Sequence, residues 1–162
     1  MEENSMKASS QLGLMLVLII IMACGQVSKK SSIDVEAERE AVMAVFKGLI
    51  VVSESGDVEG YMNHLSEEAV MMYSGQPAVV GTAKIRSFIT NFFENYKFQF
   101  NPWQSNEIQV LGDWAFHRYS GIATITPKSG GESIKLDRKY IDILRKEAGS
   151  WKVTHHIFNT NN

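Results

Sequence analysis

Residues 112–159 carry three strand-like runs joined by two tight, glycine-bearing connections, and this stretch restricts the chain to folds built on an antiparallel meander. The first run, 112–119, holds Trp114, Phe116, His117, Arg118 and Tyr119. The second, 138–145, holds Arg138, Tyr140, Asp142 and Arg145, and the third, 151–159, holds Trp151, Thr154, His155, His156 and Phe158. Nearly all the titratable side chains suited to chemistry lie on these runs.

Upstream of the meander the hydrophobic period changes from two to that of a helix. Val42, Val45, Phe46 and Leu49 recur at helical spacing over 33–54, with Glu36, Glu38, Arg39 and Glu40 opposite them. Asp34 is placed to cap this helix, acids occupy its first turn, and Ser55-Gly56 ends it. Asp57 caps a short second helix whose inner face is Val58, Tyr61, Met62 and Leu65; His64 reads there as a partly exposed surface histidine. Residues 69–74 form a short strand, Gly75-Gln76-Pro77 a turn, and 78–81 a second brief strand. Thr82 is expected to cap a third helix carrying Ile85, Phe88, Ile89, Phe92 and Phe93, an aromatic stripe that reads as core. Asn101-Pro102-Trp103 signals a loop, since proline biases the residue before it toward extended geometry, and 105–111 follows as a strand. Helices followed by a run of strands describe an α+β domain, with helices packed on one face of a curved sheet.

The length of 162 residues suits one such domain. Sixteen Lys and Arg stand against 18 Asp and Glu with no basic patch, so the electrostatic footprint of a nucleic-acid binder is missing. Residues 14–23 form an apolar run too short for a membrane span and suited to the core of a signal peptide, with Lys7 as its positive flank. A start at Met6 would remove Glu2 and Glu3 from that flank. The run ends in Ile21-Met22-Ala23-Cys24-Gly25, which resembles a bacterial lipobox, and Cys24 is the single cysteine. The expectation is a signal peptide over 1–23, a lipidated Cys24 opening a polar tether over 24–32, and a folded domain over 33–160. The alternative is a chance cysteine in an ordinary signal peptide. The resemblance to lipoproteins implies export and lipid anchoring to the cell envelope, on the periplasmic side of the outer membrane in a Gram-negative cell.

Alternation along strands then sorts the meander into faces. A symmetric turn over 127–132 sets His117 opposite Asp142, Tyr119 opposite Tyr140 and Gly121 opposite Arg138. A symmetric turn over 146–150 sets Asp142 near Thr154, Tyr140 near His156 and Arg138 near Phe158. One face thus carries Ala115, His117, Tyr119, Arg138, Tyr140, Asp142, Thr154, His156 and Phe158, and a one-residue slip would break the grouping. A carboxylate beside an imidazole fixes its tautomer and raises its basicity, so Asp142 can prepare His117 or His156 as a general base. Tyr119 and Tyr140 can donate to a developing oxyanion, and Arg138 can hold an anionic group. His117, Asp142, Tyr140 and His156 are the candidate catalytic set; Tyr119, Arg138, Trp103, Tyr73 and Phe158 are the candidate ligand contacts. Cross-strand pairs of these types also stabilise sheets by about 0.2–1 kcal/mol each, so a purely structural role suits the same residues. His155 and His156 point to opposite faces and cannot chelate one ion together, and no metal-ligand spacing is present.

Four local motifs recur in order: Glu54-Ser55-Gly56-Asp57 closing the first helix, Gly81-Thr82-Ala83-Lys84-Ile85 opening the third, Gly112-Asp113-Trp114-Ala115, and Gly149-Ser150-Trp151-Lys152-Val153 before the last strand. In that order and spacing the chain resembles the nuclear transport factor 2-like superfamily, in its SnoaL-like or ketosteroid-isomerase-like branch. The resemblance implies a cone-shaped domain, a curved antiparallel sheet wrapped on three N-terminal helices, with a pocket at the open end. It also implies a homodimer through the outer sheet face and, where relatives are enzymes, isomerase, cyclase or dehydratase chemistry without a cofactor. His156 stands where the SnoaL-like pattern often carries a carboxylate. The expected function is an envelope-anchored pocket protein for a small apolar or anionic molecule; the alternative is an acid–base enzyme using the His/Asp/Tyr face.

Overall fold

The computed structural model describes residues 34–161. The expected signal peptide over 1–23 and the expected tether over 24–32 with Cys24 lie outside the described residues. No helix among the described residues is long and apolar enough to cross a membrane.

Helix α1 spans Val35–Ser55, α2 Val58–Asn63 and α3 Thr82–Asn95. The strands are β1 Leu65–Tyr73, β2 Val79–Val80, β3 Tyr96–Leu111, β4 Trp114–Pro127, β5 Ile134–Glu147 and β6 Ser150–Thr160. They form one curved, unclosed six-stranded sheet in the order β2-β1-β6-β5-β4-β3. The α+β class is as expected. The sheet is mixed, however, because β1 runs parallel to β6 while every other pair is antiparallel.

The helix ends follow from local chemistry. Asp34 accepts from the Ala37 amide at 3.2 Å, and Asp57 from the Gly60 amide at 2.9 Å, each satisfying an amide that the first turn leaves unpaired. Gly56 stops α1 in the left-handed region at φ 74°, where an L side chain would be strained. Thr82 is not a cap: Gly81 precedes the helix and makes no side-chain bond. Val42, Leu49, Ile85, Ile89 and Phe93 pack from the helices against Ala69, Met71, Leu144 and Val153 on the inner sheet face. Polar contacts at three points hold α1 there. Arg39 donates to the Ile108 carbonyl at 2.8 Å, Glu38 accepts from Trp151 Nε1 at 2.8 Å, and Glu54 accepts from the Phe100 amide at 3.0 Å.

Further sequence expectations need correcting. Leu65 opens β1 instead of closing the inner face of the second helix, which ends at Asn63. Residues 101–103 are not a loop: β3 continues through them as an irregularity between Phe100 and Trp103, since proline at a bulge removes no ladder bond. The β5–β6 register also differs, with Asp142 opposite His156, Tyr140 opposite Phe158 and Arg138 opposite Thr160. Two separate one-residue offsets cause this. The turn is a two-residue one, Glu147 pairing Ser150, with φ 48° at Ala148 and 83° at Gly149, as a type I′ hairpin requires. Farther along, Leu144 pairs Val153 while Ile143 pairs His155, leaving Thr154 as an extra, bulged residue. Two offsets of one preserve parity, so His156 and Phe158 still share the inner face with Asp142. The β4–β5 pairs His117–Asp142, Tyr119–Tyr140 and Gly121–Arg138 are as expected.

Candidate functional site

Asp142 is the centre of the inner face. It is 2 % exposed, and its two oxygens are used from two neighbouring strands. Tyr119 Oη donates to Oδ2 at 3.1 Å from β4, and His156 Nδ1 lies 2.6 Å from Oδ1 on β6. A carboxylate only accepts, so Nδ1 is the donor and neutral His156 carries its lone pair on Nε2. The bulge at Thr154 turns this ring inward; Thr154 itself is buried and donates to the Ile143 carbonyl at 3.0 Å.

His156 lines a partly open cavity of about 220 Å³ between the helices and the inner sheet face. Tyr119, Tyr140, Arg138, Phe158 and Tyr73 line it as well. Tyr140 stacks on Tyr119 with ring centres 4.7 Å apart and planes 5° from parallel, and Tyr73 stacks on Phe158 at 5.6 Å. Burial pushes the Tyr119 phenol well above its ordinary range, reinforced by the Asp142 charge. Burial likewise raises the Tyr140 phenol, with the Arg138 guanidinium beside it pulling the other way. Both phenols therefore remain donors at neutral pH. The Arg138 guanidinium sits 4.8 Å over the Phe158 ring, and its buried Nε has no hydrogen-bond partner among the described residues.

Asp142 lies behind the cavity wall, and two more of the residues singled out in the sequence stand apart from the cavity. His117 faces Asp142 across the strands but its side chain turns to β3, where Nε2 meets Ser105 Oγ at 2.9 Å. It is 1 % exposed, sits edge-on to Phe46, and leaves Nδ1 without a partner among the described residues. Burial lowers its pKa, and the nearby Asp142 charge only partly opposes that. Trp103 packs edge-on against Phe46 at 4.9 Å, 37 % exposed and off the cavity wall.

Sequence reasoning missed the opposite wall. Phe46 and Ser53 of α1, Tyr61 of α2, and Phe88, Phe92 and Phe93 of α3 belong to that wall. Burial raises the Tyr61 phenol, as does the Asp142 charge, so Tyr61 adds a third donor. The aromatic stripe on α3 was the available signal: its residues are core and cavity wall at once, Ile89 and Phe93 serving as both. Among the described residues no group of three or more His, Cys, Asp or Glu side chains is placed to hold a metal ion.

A family model described as a SnoaL-like domain matches residues 39–156. The chain belongs to the SnoaL-like domain family. Solved structures of the nuclear transport factor 2-like superfamily repeat the fold. A ketosteroid isomerase-like protein from Erwinia carotovora atroseptica is 24% identical, with a TM-score of 0.70 over 77% of this chain and 97% of that one. A conserved protein from Planctomyces limnophilus is 17% identical, with a TM-score of 0.72 over 76% and 96%. A type 2 hexachlorocyclohexane dehydrochlorinase is 13% identical, with a TM-score of 0.69 over 78% and 86%. At these identities the likeness concerns the fold. No curated protein matches the chain in sequence. This SnoaL-like domain places a histidine, held by a buried aspartate, on the wall of a cavity otherwise mostly aromatic.

Proposed function

We propose that this SnoaL-like domain binds one small, largely apolar molecule and that His156 moves a proton on it. The contact that carries the reading is His156 Nδ1 to Asp142 Oδ1 at 2.6 Å, on a ring that lines the cavity. Asp142 fixes the tautomer and stabilises the imidazolium that forms; Tyr119, donating to its other oxygen, keeps the carboxylate in place. Nε2 takes a proton from the bound molecule, and Tyr140 or Tyr61 donates to the oxygen on which negative charge develops. The same imidazolium returns the proton elsewhere, which is the economy of an isomerase or a dehydratase. The relatives named above, an isomerase-like protein and a dehydrochlorinase, support this class of chemistry without fixing the substrate.

The test begins with native mass spectrometry of the protein purified from its own cells, to identify the molecule it carries. Deuterium uptake by that molecule in D2O then reads proton transfer. His156→Gln is expected to slow uptake by roughly 10²–10⁴-fold while binding persists. Unchanged uptake in this variant would remove His156 from the reaction.

Envelope anchoring through Cys24 belongs to the same proposal, supported by the lipobox-like run before it. Metabolic labelling with an alkynyl fatty acid should mark the wild type and leave Cys24→Ser unmarked. Labelling of both would place the lipid elsewhere.

A further inference from the structure

We propose that the cavity selects a monoanion, a flat apolar carboxylate whose carboxyl group is seated on Arg138; this rests on the pocket reading above. Arg138 is a full positive charge on a wall that is otherwise apolar and aromatic. Its Nε is buried and finds no acceptor among the described residues. Arg138 forms no ion pair with a carboxylate among the described residues, and Asp137, Asp142 and Glu54 each have partners of their own. Asp137 accepts from the Asn161 side chain at 2.9 Å, Asp142 serves Tyr119 and His156, and Glu54 accepts from the Phe100 amide. A guanidinium that keeps a buried donor unpaired is unfavourable in the empty protein and becomes favourable when an acceptor enters.

The charge count limits that acceptor. Asp142 is already paired with His156, and Arg138 is the one Lys or Arg among the lining residues, so Arg138 alone faces the ligand's charge. A phosphate dianion would leave one charge uncompensated among phenyl rings, whereas a carboxylate is matched and accepts from the planar guanidinium in the geometry that Arg favours. Phe158 links the two ends of the site. The Arg138 guanidinium lies 4.8 Å from its ring centre and the His156 ring 5.1 Å, so one small molecule lying along Phe158 touches both. The Phe158 face already bears a cation, which leaves the remaining aromatic wall of Phe88, Phe92 and Tyr73 for the ligand body. At interior packing density about 220 Å³ admits roughly 10–15 non-hydrogen atoms.

trans-Cinnamate and its neutral isostere trans-cinnamamide are probes of this size and shape that differ in the charge alone. Isothermal titration of the purified protein should give cinnamate a Kd at least about tenfold below that of cinnamamide. Arg138→Gln should erase the difference by weakening cinnamate alone, with cinnamamide held within about threefold. His156→Gln should leave the preference intact, since the anion seat and the proton-transfer group are separate. A preference that survives in Arg138→Gln overturns the proposal, and so does equal binding of the two probes by the wild type. In the second case the cavity is real and only its anion selectivity is wrong. Saturable, selective binding of cinnamate supports the anion seat by itself; only the absence of deuterium uptake by the molecule found by mass spectrometry removes the proton-transfer reading. Failure of both probes to bind overturns the carboxylate class, and the molecule found by mass spectrometry would then decide the pocket reading independently.

Discussion

Asp142 holds two hydroxyl- and imidazole-type partners with one buried carboxylate, and an amide in its place could not accept from both in the same geometry. Asp142→Asn is expected to lower stability by about 2–4 kcal/mol, and Tyr119→Phe, which removes one neutral donor, by about 1–2 kcal/mol. Urea denaturation checks the order; a larger loss for Tyr119→Phe would mean that the phenol's bond outweighs everything else the Asp142 carboxylate holds. His117 gives a separate pH signature. Its folded pKa lies below the ordinary 6.5 because burial disfavours the cation. The unfolded chain therefore takes up a proton first, and stability falls as pH drops from 6.5 through the lower folded value. The residues packed around it are Asp142, Ser105, Phe46 and Tyr119, and Asp142 is the one charge among them. Melting temperature should decline between pH 7 and pH 5, less steeply in His117→Asn; identical slopes would show that other groups carry the acid sensitivity. The sequence made His117 and His156 equal candidates for Asp142, because alternation places both beside it. Only the side-chain torsions, with Ser105 on one side and an open cavity on the other, separate them.

At the level of elements, the bulge absorbs Thr154 and so keeps His156 aimed inward. Thr154 is the odd residue between the inward-facing Val153 and His156, so deleting it closes the bulge and keeps Ile143 opposite His155 and Asp142 opposite His156. The hydrogen-bonded Nδ1 proton resonance of His156 should persist in that variant, and its loss would show that the bulge does more than absorb one residue. The hairpin before it is imperfect: Ala148 sits at φ 48°, which Asn tolerates better. Ala148→Asn should raise stability by about 0.5–1 kcal/mol in the same urea assay. The opposite case is Gly121, where an added methyl would lie 2.6 Å from the Phe100 ring and 2.7 Å from the Pro102 carbonyl. Gly121→Ala should cost about 1–3 kcal/mol and disturb β3 at its irregularity between Phe100 and Trp103. These elements also mark what pattern alone can read. The β4–β5 register followed from one symmetric turn, whereas β5–β6 needed a turn type and a bulge that leave no periodic trace. Proline at 102 read as an interruption because its effect on a strand depends on whether a bulge absorbs it.

For the whole domain, the outer sheet face presents Phe116, Ile141, Ile143 and Ile157, all half-buried. We propose that two copies pair through this face. Sedimentation should find a dimer at tens of micromolar for the wild type and a monomer for Ile141→Lys; a monomeric wild type would end the idea. The helix-then-meander order was enough to reach the α+β class, yet the parallel β1–β6 pair was hidden, because nothing local distinguishes a strand that waits for a partner some eighty positions later in the chain. That pairing has a kinetic consequence. β6 lies between β1 and β5, so β1 is left with the two-residue β2 as its only neighbour until residues 150–160 have been made. A nascent chain on the ribosome can therefore form its helices and the β3–β5 meander early, but it closes its core only when the last strand is released.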